Sequence, residues 1–155
     1  MTPQRERWEK PPMDEAHFRM LERMYHAAPC NVYYKPTLRI EKGKSELHIP
    51  ITPNLWHAAR AAHGSVYFKA VDDAAYFAAL SLVPDVFILT TSLNVYLTRP
   101  ITEGTIIGKG RVTFASKNLF NAETILTDAD GNEIGRGTAS FARSKMPLES
   151  GIGYG

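Results

Sequence analysis

The chain has 155 residues, 44% hydrophobic and 22% charged, which suits one soluble domain with a sizeable core. Its 18 basic and 16 acidic residues leave a net charge of +2, too small to argue for a nucleic-acid partner. Cys30 is the single cysteine, which excludes an intrachain disulfide or a multi-cysteine zinc site, and no apolar run approaches the ~20 residues that cross a bilayer. A cytoplasmic protein with no membrane or nucleic-acid partner is the expectation.

Residues 1–12 read as a flexible arm, and a helix starts at Asp14, a suitable N-cap. Phe18, Leu21, Tyr25 and Ala28 share one side of that helix, which Pro29 ends and which lies on the outside of the domain. Leu38 and Ile40 then alternate with Arg39 and Glu41, and Leu47, Ile49 and Ile51 with Glu46, His48 and Pro50. With Lys42-Gly43 between them, these two runs predict a hairpin. Pro50 lacks a ladder donor, so the second strand is expected at an edge or with a bulge.

The only long helical pattern runs from His63 to Leu82, with Val66, Tyr67, Ala70, Val71, Ala74, Phe77, Ala78 and Leu82 at helical spacing. Its alanines keep the cylinder slim enough for a sheet to wrap. Gly64 opens it with unpartnered amides, and Asp72 and Asp73 interrupt its apolar surface. Four strands follow. The first, 87–98, places Phe87, Leu89, Leu93, Val95 and Leu97 on a core side and Thr90 among the polar residues of the other. The next run over 105–116 and 119–127, and after the turn Asp130-Gly131-Asn132 the last runs from Glu133 to Arg143, with Gly135, Gly137, Ala139 and Phe141 on one face. Residues 145–155, rich in glycine, read as a loose tail, which leaves 13–144 as a single domain. The order predicts an α+β fold: a curved antiparallel sheet around one central helix, with an additional N-terminal helix. Strand 87–98 is the expected pairing edge for a second copy.

From roughly Leu38 to Arg143 these residues resemble the hotdog-fold acyl-CoA thioesterases, in the branch that includes the phenylacetate-pathway thioesterase. That family's signature is His-Gly-Gly with an aspartate nine positions after the histidine, and His63-Gly64-Ser65 with Asp72 has that interval. Asn94-Val95-Tyr96, ending in Arg99-Pro100, resembles the family's strand after the helix. Two positions depart from the pattern: Ser65 replaces the second glycine, and His57 stands where the family often carries an asparagine beside the substrate carbonyl.

The resemblance implies hydrolysis of an acyl-CoA or acyl-carrier-protein thioester, with coenzyme A as part of the substrate, no cofactor and no metal. Amides at Gly64 would polarise the carbonyl and stabilise the oxyanion. Asp72 would serve as general base on water or as a nucleophile. By analogy with the family's strand hydroxyl, Thr90 would position the water or the carboxylate, while His63 orients the loop. His57 and Ser65 would contact the substrate, and Lys109, Arg111 and Lys117, with Arg143, would meet the phosphates. Gly64 and Asp72 lie about 12 Å apart along one helix, too far to act on one carbon, so the site needs Asp72 of the partner subunit, in a dimer or a dimer of dimers.

Plainer readings fit the same residues. Lys69 lies three and four positions before Asp72 and Asp73, so a surface ion pair accounts for either carboxylate. Gly64 serves as a helix-entry glycine, and the strand cations form a solvated face. At the level of function, a non-catalytic acyl-thioester-binding hotdog protein and a hotdog dehydratase or hydratase are the alternatives.

Overall fold

A computed structural model describes residues 15–155; the expected arm and the Asp14 cap lie outside them. Two helices, α1 (Glu15–Ala27) and α2 (Pro29–Tyr34), precede the hairpin β1 (Thr37–Glu41) and β2 (Lys44–Pro50). The central helix α3 (Gly64–Leu80) leads into β3 (Val86–Leu97), β4 (Thr105–Ala115), β5 (Leu119–Thr127) and β6 (Glu133–Pro147). All six strands form one antiparallel sheet in the order β1-β2-β4-β5-β6-β3. The expected α+β arrangement, a sheet wrapped around one helix, is what the chain adopts.

Small residues on both partners bring α3 against the sheet. Ala70, Ala74, Ala75, Ala78 and Ala79 are fully buried. A side chain on Gly110 would collide with the Ala74 carbonyl, and one on Gly137 would come within 2.6 Å of Val71 Cγ1. Two sheet hydroxyls reach the helix backbone, Ser45 Oγ donating to Ala74 O at 2.5 Å and Thr124 Oγ1 to Val71 O at 2.9 Å. Ile40, Leu47, Ile49, Ile106, Phe120 and Phe141 fill the space around this contact, each fully buried and each contributing about 1.5–3 kcal/mol.

The two outer strands are treated differently. Along β1, side chains of α1 take the backbone groups that no strand pairs. Glu22 Oε2 accepts from Ile40 N at 2.9 Å, Arg19 Nη2 donates to Ile40 O at 2.6 Å, and His26 Nε2 accepts from Leu38 N at 3.2 Å. Along β3, Tyr76 of α3 donates to Ile88 O at 2.8 Å, while Leu89, Tyr96 and Leu97 are exposed.

Four expectations need correction. Pro29 does end α1, but it also sits in the first turn of α2, where its missing N–H costs nothing. Pro50 is on an interior strand, between β1 and β4, and is tolerated because β2 ends there opposite Thr105. The alternation in β3 is broken by a bulge: Thr90 pairs with Phe141 and Ser92 with Ser140, leaving Thr91 as the extra residue. Before the bulge Ile88 faces the core and Leu89 is exposed, opposite to the unbroken pattern. The tail is also seated rather than loose. It continues β6 to Pro147, buries Leu148 and lays Gly151 and Gly153 on α1; a side chain at Gly151 would meet Met24 Sδ of α1 and Phe87 Cζ of β3 within 3 Å.

Candidate active site

The start of α3 is shaped by His63. As the N-cap in extended backbone, its Nδ1 accepts from Ser65 N at 3.0 Å and lies 2.8 Å from Ser65 Oγ. An imidazole nitrogen that accepts from an amide is unprotonated, so the neutral ring carries its proton on Nε2. The Ser65 amide is thereby taken up by the cap. The Gly64 amide finds no acceptor among the described residues.

His57 stands in a tight loop before this helix start. Its Nδ1 accepts from Ala59 N at 3.1 Å, and its backbone pairs with Ala61 O and Arg60 N at 2.9 Å each. Occupation of Nδ1 directs the ring proton to Nε2, leaving one N–H donor in place of the side-chain amide an asparagine would supply. His57 and Gly64 line the same cleft, walled by Tyr67, Leu97 and Arg99. Tyr67 was not singled out by sequence reasoning; its hydroxyl donates to Arg99 O at 2.5 Å and fixes the turn after β3 over the helix start. Nothing in the spacing of residues 67 and 99 signals that contact.

Two turns further along α3, the adjacent aspartates separate. Asp73 Oδ2 accepts from Lys69 Nζ at 2.8 Å and from Tyr25 OH at 2.7 Å, while the ammonium lies 4.9 Å from the centre of the Tyr34 ring. Asp73 therefore ties α1 to α3. Asp72 is half-buried, and its Oδ1 accepts from Thr90 Oγ1 at 3.0 Å. Burial pushes its carboxyl above the ordinary carboxylate range; the Thr90 hydrogen bond opposes this, the Asp73 charge adds to it, and Lys69 opposes it more weakly. Thr90 faces α3 because it lies on the same side of the Thr91 bulge as Ile88.

The cations proposed for phosphates are not gathered here. Lys109 and Arg111 lie on the sheet face turned away from α3, two strands removed from β3, and Arg111 Nε is bound to Glu123 Oε1 at 2.7 Å. Lys117 is in the β4–β5 turn, and Arg143 Nη2 donates to Asp85 Oδ1 at 2.7 Å. Within one chain, then, His57, His63 and Gly64 form one cluster and Asp72 and Thr90 another.

A curved antiparallel sheet around one helix, with a glycine at the helix start and a carboxylate on its flank, defines a hotdog-fold protein. Residues 60–134 match the family model of the thioesterase superfamily, a span that includes His63, Gly64, Asp72 and Thr90 but not His57. Among solved structures, the E. coli PaaI protein from the phenylacetic acid degradation operon is similar at TM-score 0.79 and 13% identity, over 88% of this chain and 99% of that one. A thioesterase family protein from Silicibacter pomeroyi gives 0.71 and 21%, over 80% and 97%. A thioesterase from Haemophilus influenzae gives 0.72 and 10%, over 79% and 87%. Comparison with curated protein sequences gives no match. The chain therefore has the hotdog fold, and residues 60–134 of it are similar to the thioesterase superfamily.

Proposed function

We propose that this protein hydrolyses acyl thioesters of coenzyme A or acyl-carrier protein, as a homodimer or a dimer of dimers, in a reducing cytoplasm where its exposed Cys30 stays a free thiol. The observation that carries the reading is the division of labour between the aspartates. Lys69 is spent on Asp73, so the ion pair that would make Asp72 ordinary goes to its neighbour. Asp72 is instead half-buried and steered by a hydroxyl.

The carbonyl oxygen takes the Gly64 N–H and the Nε2–H of His57, donors that gain strength as negative charge develops on oxygen. The helix start adds its favourable field. Asp72 of the partner subunit, oriented by Thr90 of that subunit, removes a proton from water as the water oxygen bonds to the carbonyl carbon. The tetrahedral oxyanion then collapses, the carbon–sulfur bond breaks, and the proton passes to the leaving thiolate. Direct attack by the carboxylate, giving an anhydride that water opens, uses the same two groups. A carboxylate held above its usual pKa is the better base in the first route.

Thiol release from a panel of acyl-CoA substrates tests this. Wild type is expected to turn over and Asp72→Asn to lose about 10²–10⁴-fold in kcat. Acyl-CoA binding without turnover in either protein would establish the binding-only reading instead, and an enoyl product without free thiol the dehydratase reading.

A further inference from the structure

Beyond the two clusters, one apolar groove lies along the same helix. It is lined by Met24, Tyr25 and Ala28 from the α1–α2 corner, Tyr76 from α3, Phe87 from β3 and Ile152 from the tail. Tyr76 stands one helical turn, about 6 Å, beyond Asp72. Both phenols have their hydroxyls engaged, Tyr25 on Asp73 and Tyr76 on Ile88 O at 2.8 Å, so the rings rather than the polar tips line the space. Burial holds both phenols above their ordinary pKa, and the Asp72 and Asp73 charges add to that rise, so the carboxylates' field reaches the groove. Its volume is about 280 Å³. An apolar cavity of about 150 Å³ is enough for benzene.

We propose that this groove receives the acyl end of the thioester, an apolar group of about six to ten carbons, with the α1–α2 corner and the tail as its outer wall. This rests on the thioesterase reading for the position of the carbonyl carbon, which must lie within ~3.5 Å of the Asp72 carboxylate. From there the groove is the adjoining apolar space on α3. Met24, Tyr25, Ala28 and Ile152 all fall outside residues 60–134, so acyl selectivity is set by segments outside the family-matched core. Ala28 is the smallest of these side chains and sits in extended backbone between two helices, where a larger residue projects into the groove without disturbing a helix interior.

The test measures binding of unreactive 2-oxoalkyl thioethers of coenzyme A, of increasing chain length, to the full-length Asp72→Asn protein. Affinity is expected to rise about fourfold for each methylene added up to about eight carbons and then to level off. Adding Ala28→Trp is expected to bring the plateau at least two carbons earlier and cut the long-to-short affinity ratio by tenfold or more. If Ala28→Trp does not fold, Ile152→Trp at the exposed rim is expected to act in the same direction. Affinity independent of chain length, absence of binding, or an unchanged ladder in a filled variant that melts with its parent would overturn the proposal. Turnover of octanoyl-CoA by wild type is read separately: its absence with the ladder intact removes the hydrolase reading and leaves the groove.

Discussion

The sheet has two outer strands, and the chain treats them in opposite ways. At β1, three side chains of α1 occupy the backbone of Leu38 and Ile40, so the edge is closed by its own protein. At β3, a longer strand, Tyr76 meets the backbone at Ile88 O, and Leu89, Tyr96 and Leu97 stand exposed. Uncovered edges carry a risk of indiscriminate pairing, and the more open edge is where the proposed second copy would pair. That edge also carries Thr90 beside Asp72, so under the proposed function joining two copies there and completing the site would be one event.

That contrast can be broken most sharply at β3. Placing charge on the open strand with Leu89→Lys and Tyr96→Lys is expected to yield folded monomers by sedimentation and to lower turnover by about 100-fold or more, because each half-site loses its mate. Monomers with full activity would contradict that pairing. Thr90→Val, on the same strand but inside the site, is expected to lower kcat about tenfold. The Thr90 hydroxyl favours the carboxylate, so its removal raises the Asp72 pKa further. Activity requires the ionised form, so the acid limb of the pH–kcat profile should move to higher pH. A limb that stays in place would separate Thr90 from Asp72. At the closed edge the effect should be on stability alone. Glu22→Ala leaves the Ile40 amide without its acceptor and is expected to cost about 1–3 kcal/mol, seen as a melting temperature lower by roughly 2–10 °C with kcat unchanged.

Much of this arrangement was readable from residue order. The hairpin, the slim central helix and the strands after it follow from periodicity, and the nine-residue interval from His63 to Asp72 marks the start and the flank of α3. What escaped were features made by inserted or tertiary geometry. Thr91 has no compositional mark as a bulge, yet it reverses which side of β3 faces α3 and so turns Thr90 toward Asp72. Glycines at 151 and 153 read as slack, but at Gly151 the absent side chain permits a close fit against Met24 and Phe87. Pro29 signalled a stop correctly and a start silently. That Lys109 and Arg111 lie on the sheet face turned away from α3 of their own chain is revealed only by strand order and register.

The shared site can be tested by mixing two defects. Gly64→Pro deletes the amide at the first position of α3, where proline suits the helix and His63 already has extended backbone. A side chain there meets only ordinary contact, 3.5 Å from Leu97 Cδ2. Homodimers of Gly64→Pro and of Asp72→Asn should both be inactive. When the two chains are unfolded and refolded together, half the dimers are mixed and each mixed dimer rebuilds one intact site. Thioester hydrolysis is expected to return to about a quarter of the wild-type rate. A mixture as inactive as its parents would show that the Gly64 amide and the Asp72 carboxylate do not meet across two copies.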